Sequence, residues 1–158
     1  MHNKKRHELY FVTILISIDK VNRNIKDISY KEFISDEIVF GFIIRNLQEI
    51  GESVKKLIDV YDLENKHPNE GDWRKIVDFR NVVVHKYFGS DPEIIFAIAT
   101  KEIPVFEKQI LKVLQKIEDK FYLLQATEMT IPIYEKMQRK DTVDFLKTLF
   151  NQLKKSQH

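Results

Sequence analysis

Apolar residues recur at helical spacing along nearly the whole of this chain. Leu9, Val12, Ile16, Val21, Ile25 and Ile28 share a broad face and predict a first helix over about residues 6–28. Val39, Ile43, Leu47, Ile50, Val54, Leu57 and Tyr61 advance by threes and fours, the mark of one buried stripe on a second helix. Asp36 stands where an N-cap for that helix belongs. Gly51 falls inside it at a cost of about 1 kcal/mol relative to Ala, and close approach of another helix is the usual compensation.

The segment ENKHPNEGDW interrupts the pattern with turn residues, and Asp72 can cap the next helix. This third helix is expected from Trp73 to His85 or Tyr87, ended by FGSDP. Ser90 or Asp91 can cap a fourth, with Pro92 in its first turn. Ile94, Ile98, Phe106, Ile110, Leu114, Ile117, Phe121 and Leu124 outline that long helix, which Pro104 should kink or divide. Beyond Thr130, TIPIYEKMQRK breaks the pattern. Asp141 should cap a last amphipathic helix carrying Val143, Phe145, Leu146, Leu149, Phe150 and Leu153. The expected fold is an all-α bundle with a C-terminal helical addition.

Composition narrows the chemistry. At 158 residues the chain is long enough for one domain with a real core. Four Gly and four Pro argue against sandwiches and barrels, and Gly41, Gly51, Gly71 and Gly89 cannot assemble a Gly-rich phosphate loop. The absence of Cys removes disulfides, zinc ribbons and thiol nucleophiles, and fits a reducing cytoplasm. No G-x-S-x-G elbow is present. The run LYFVTILISI behind Lys4, Lys5 and Arg6 has the outline of a secretory signal. It lacks a small-residue cleavage site and is too short to span a bilayer, so it reads as a core helix. Residues 1–118 hold 19 Lys/Arg and 19 Asp/Glu, and residues 119–158 hold seven and five, which gives the net +2. Any nucleic-acid contact must therefore come from a local cluster.

The third helix is the unusual one. Trp73, Ile76 or Val77, Arg80, Val84 and Tyr87 form one row, and Ile76, Phe79 and Val83 form another beside it. A helix apolar over more than one face is expected to pack against its own bundle and against a partner. Arg80 stands in line with these residues, which is costly unless its charge is paired or meets an anion. A carboxylate such as Asp36 or Glu52 could supply the pair. His85 comes five residues after Arg80, about 140° round an ideal helix. Either the helix loosens there, or the two groups converge across a two-fold axis, or the arginine arm bends round. Three consecutive valines favour loosening. Arg, His and Tyr together supply a phosphate-binding cation, a group titrating near neutrality and a phenol donor, a set that suits phosphodiester chemistry without metal. A structural role for His85 remains open on residue type alone.

The stretch R-N-V-V-V-H-K-Y, residues 80–87, resembles the R-x-x-x-x-H-x-Y signature of HepT-type toxins, members of the HEPN superfamily of ribonucleases. RNLQEIGES at 45–53 resembles the family's second-helix motif, and the order Pro68, Trp73, Arg80 resembles its loop and catalytic helix. DPEIIFAIATKEIP at 91–104 resembles the entry to its fourth helix. The likeness covers residues 6–118, and the tail after about 125 has no counterpart. The resemblance implies an antiparallel four-helix HEPN-type bundle over residues 1–125, and the amphipathic pattern beyond it makes residues 126–158 a helical extension expected to pack on the same domain. It implies that Arg80 and His85 are catalytic, that Asn81 supports them, and that the reaction is metal-independent RNA cleavage by 2′-OH attack, with transfer RNA a substrate class. It further implies a homodimer with a composite cleft. Its partner would be an MntA-like nucleotidyltransferase antitoxin that adenylylates Tyr87, with a higher hetero-oligomer open. The rival classes are a non-catalytic nucleotide-binding subunit and a purely structural helical dimerisation protein. No cofactor is expected: His2, His7, His67, His85 and His158 lack metal-ligand spacing, and ENKHPNEGD lacks the calcium-loop pattern.

Overall fold

The computed structural model describes residues 7–85 and 91–157, with the side chains of residues 82–85 outside that description. Helix α1 (His7–Ile25) leads through a capping box into the short α2 (Tyr30–Ser35). In that box the Ser29 hydroxyl accepts from the Glu32 N–H, and the Glu32 carboxylate accepts from the Ser29 N–H. Helix α1 ends at Ile25, earlier than its apolar face suggests, with Asp27 in the left-handed conformation (φ 62°) before the S-x-x-E signal starts α2. Asp36 then caps α3 (Glu37–Tyr61) as expected, accepting from the N–H groups of Ile38 and Val39. Asp62 closes α3 in the left-handed conformation, and α4 (Leu63–Lys66) leads to the loop before α5 (Trp73–His85).

After Asp91, which caps with Pro92 behind it, α6 (Pro92–Ala97) passes through a π-helical turn (Ile98–Glu102) into α7 (Ile103–Lys116). Pro104 has no N–H to continue the ladder. The turn before it shifts to i→i−5 bonding, seen in Ile103 N–H donating to Ile98 C=O. The long fourth helix of the sequence pattern ends at Lys116, and the irregular residues 117–120 separate it from the next helix. There Lys120 is buried, and its ammonium donates to the carbonyl of Ile117. Helix α8 (Phe121–Lys136) also departs from expectation by running through Pro132. Pro132 lies on an exposed face. The final helix α9 (Lys140–Lys155) begins one residue before Asp141, which caps nothing. Asp141 instead pairs with Arg23 at 3.3 Å and ties the tail to α1.

The protein is an all-α bundle. His7 and Phe11 at the start of α1 pack against Tyr61 at the end of α3, tilted and edge-on respectively, with ring centroids 4.8 and 5.3 Å apart, so these helices are antiparallel. Helix α5 returns along α3, and α7 lies beside it through Trp73 and Phe106. Leu123, Ala126, Leu146, Leu149 and Leu153 of the tail belong to the same buried cluster as Phe11, Ile43 and Phe106. No described helix is long and apolar enough to cross a membrane.

Candidate active site

Arg80 is set by the contact between α3 and α5. A methyl group built on Gly51 would lie 2.5 Å from Arg80 Cβ and 3.3 Å from its backbone N. The two helices therefore approach most closely where the arginine leaves α5, and only a residue without a side chain fits there. The close approach expected for Gly51 is present. Trp73, Ile76, Val77 and Phe79 around it are all buried within the single chain. The described parts of both apolar rows are thus already covered, and residues 73–79 by themselves do not call for a second copy.

The Arg80 side chain is 32% exposed, and its Nε donates to Glu52 Oε1 at 3.2 Å. Of the two carboxylates suggested by the sequence, Glu52 is the partner and Asp36 is not. The Glu52 side chain is 57% exposed, and pairs this wet add little stability. Among the described residues, only Nε of the guanidinium has a partner, so its terminal amino groups are free to meet an anion in the planar fork geometry. Asn81 is exposed beside it.

The backbone is α-helical through His85. The three valines do not loosen the helix before it, which removes that route to convergence. Arg80 and His85 leave the helix about 140° apart. The His85 side chain and the whole of Tyr87 lie outside the described residues, as do Val82, Val83 and Val84 beyond their backbone.

At its other end α5 is fastened by a buried polar group that the sequence did not single out. Trp73 Nε1–H donates to the His67 carbonyl at 2.9 Å. The Tyr61 hydroxyl and His67 Nε2 share a hydrogen bond at 3.0 Å. Glu70 lies 4.0 Å from His67 Nδ1 and takes a hydrogen bond from Lys116. That bond holds the Glu70 carboxyl below its usual range, whereas burial pushes His67 down and Tyr61 up. Burial therefore favours the neutral form of His67. Residues 61, 67 and 73 lie on three separate segments, the end of α3, the loop after α4 and the start of α5, which is why helical spacing gave no sign of the cluster. Among the described residues, no group of three or more His, Asp or Glu is placed to hold a metal ion.

Residues 14–113 match the family model described as ribonuclease HepT-like. The chain is 35% identical over 107 residues to the "Putative RNase" of Caldanaerobacter subterraneus subsp. tengcongensis, covering 68% of this chain and 93% of the relative. It is 32% identical over 108 residues to a "Putative RNase" of Methanocaldococcus jannaschii, covering 68% and 96%. It is 29% identical over 101 residues to the "Probable ribonuclease HepT" of Thermococcus cleftensis, covering 64% and 89%. No solved structure matches the chain. With Gly51 and Arg80 both inside the matched segment, this chain belongs to the HepT-like ribonuclease family of the HEPN superfamily.

Proposed function

We propose that this protein is the toxin of a type VII-like toxin–antitoxin pair, a metal-independent endoribonuclease acting as a homodimer. The observation that carries the reading is Arg80: it is rigidly placed by Gly51, partly exposed, and unpaired at its terminal amino groups among the described residues. In the reaction a base removes the proton of a ribose 2′-OH, and that oxygen attacks the adjacent phosphorus. The bond from phosphorus to the 5′-oxygen breaks, and an acid protonates the leaving oxygen. The products are a 2′,3′-cyclic phosphate and a 5′-hydroxyl. His85 serves as base or acid. Arg80 holds the charge that grows on the phosphate oxygens, and Asn81 supports it. Because positions 80 and 85 are about 140° apart on an ideal helix, a composite cleft from two copies supplies the pair, the histidine of one meeting the arginine of the other.

Transfer RNA is the proposed substrate class. Neutralisation is proposed to occur by adenylylation of Tyr87 by a nucleotidyltransferase antitoxin. The attached AMP sets a phosphodiester charge close to Arg80 and occupies the cleft. The decisive experiment digests transfer RNA in EDTA and identifies the new ends. Cyclic phosphate ends, lost on His85→Ala by about 10²–10⁴ in rate, support the reading. Full activity in His85→Ala, or cleavage abolished by EDTA, contradicts it. Sedimentation tests the dimer, and the intact mass after co-expression with the nucleotidyltransferase tests the modification: a Tyr87→Phe chain should gain no adenylate at this position.

A further inference from the structure

The charge balance of the chain calls for a local cluster if RNA is to be held, and Arg80 alone is not one. A groove of about 630 Å³ opens between α1, α3 and the end of α8. This volume is in the range of pockets that hold small ligands. Its cations come from three separate elements: Lys20 on α1, Arg45 on α3 and Arg139 in the turn after α8. Glu49 is the one carboxylate among its lining residues. Arg45 and Arg139 are exposed, and neither has an ion-pair partner among the described residues. Lys20 donates to the Tyr134 hydroxyl at 3.4 Å and lies over that ring. The walls between the charges are apolar, with Ile133 58% exposed and Met137 47% exposed.

One edge of the groove approaches the site already described. Arg45, Glu49 and Glu52 fall on one stripe of α3, because seven residues bring a helix back to within about 20°. Glu52 is the carboxylate that bonds Arg80. Arg45 therefore lies about 10.5 Å along α3 from Glu52 on the same side of the helix, while Arg80 itself leaves α5 against Gly51, about 120° round from Arg45. Arg139 and Met137 lie beyond residues 14–113, so the tail completes a surface that the family-matched segment only begins.

We infer that this groove binds single-stranded RNA, as an extension of the cleavage site that holds the strand to one side of the scissile phosphate. Separated cations with apolar ground between them suit a strand whose phosphates meet Lys20, Arg45 and Arg139 while unstacked bases lie on the walls. A rigid duplex presents its bases to no such wall. Glu49 can accept from a ribose hydroxyl or a base amine, which a phosphate-only site would not need. The inference rests on the ribonuclease reading, yet it can fail separately.

The test uses the full chain and a fluorescent single-stranded oligoribonucleotide with every 2′-OH methylated, so that it binds without being cut by 2′-OH attack. Fluorescence anisotropy across a salt series gives affinity and salt slope. Arg45→Glu with Arg139→Glu should lower affinity at least tenfold and reduce the slope by about 1.4, from two lost phosphate contacts on a single strand. The same charge change at Lys154→Glu with Lys155→Glu, exposed at the end of α9, should leave both nearly unchanged. Equal losses in the two double variants would reduce the effect to bulk charge and overturn the proposal. Binding of a polyglutamate peptide but not the oligonucleotide would make the groove a protein-docking surface and also overturn it. If transfer RNA is cut and His85→Ala stops it, while the groove variants bind normally, the groove proposal fails and the ribonuclease reading stands. If the groove variants lose binding but no RNA is ever cut, the reverse holds.

Discussion

The two ends of α5 use polar side chains in opposite ways. At its start, Trp73, His67, Tyr61 and Glu70 are turned inward: Trp73 bonds the His67 carbonyl, Tyr61 bonds His67, and Lys116 bonds Glu70, while His67 Nδ1 and Glu70 Oε2 face each other 4.0 Å apart without a hydrogen bond. Further along, Arg80 stands at the surface with one weak partner, on a backbone held in place by Gly51. The first arrangement fixes the helix. The second leaves a charge available for chemistry while spending little stability on it. Arg74, on the same helix, shows the alternative for a surface cation: it is exposed but bonds both carboxylate oxygens of Glu64 through Nε and a terminal amino group. The two ends of α5 thus differ in whether their polar groups are withdrawn from solvent or open to it.

This contrast can be broken most severely at the inward end. Trp73→Ala should cost about 3–5 kcal/mol, the usual range for emptying a buried indole site, and also strands the His67 carbonyl. Denaturant unfolding measures it; a loss below about 1 kcal/mol, the average for any point substitution, would mean that this end does not hold α5. A smaller effect is expected from Gly51→Ala. The added methyl meets Arg80 Cβ, which cannot swing away as a side-chain tip could. Overpacking at about 1–3 kcal/mol exceeds the gain of about 1 kcal/mol in helix propensity. The net expectation is a destabilisation on the order of 1 kcal/mol together with reduced RNA cleavage, since the arginine is displaced.

A subtler effect comes from pH. Burial lowers the His67 pKa below its ordinary 6.5, so the folded protein binds fewer protons there than the unfolded chain. Its contribution to stability is complete above 6.5 and declines as pH falls through that value toward the folded pKa. His67→Gln removes this dependence along with the Tyr61 hydrogen bond. The stability difference between the parent and that variant should therefore shrink between about pH 7.5 and about pH 5.5 when melting temperatures are compared. A difference that widens on acidification would show that His67 is held as its cation.

Much of this was legible in the sequence, for local reasons. Asp36 and Asp91 cap the helices they precede because a short carboxylate beside free N–H groups needs no tertiary help. Gly51 marked the α3–α5 contact because an interior helical glycine needs a reason. Glu52 was one of two carboxylates suggested for Arg80, though spacing could not choose between them. The failures have more than one cause. Periodicity carried the fourth helix through to Leu124, but buried Lys120 and its bond to the Ile117 carbonyl divide it. Pro132 suggested a break that the exposed face of α8 absorbs. Asp141 looked like a cap but pairs across to Arg23. The groove of Lys20, Arg45 and Arg139 comes from three elements far apart in the chain. The last two depend on partners distant in sequence, which no local pattern records.

The central claim, that Arg80 serves chemistry and not the fold, is tested most directly by Arg80→Lys, with transfer RNA cleavage and thermal unfolding measured on the same preparation. Lysine keeps the positive charge and can still meet Glu52, but it loses the planar fork. The account predicts a fall in kcat/KM of about 10²–10³, the range for losing one charge-stabilising group in a transition state, with an unchanged melting temperature. Cleavage at the parent's rate, or a lost melting transition with no separate loss of rate, would contradict it.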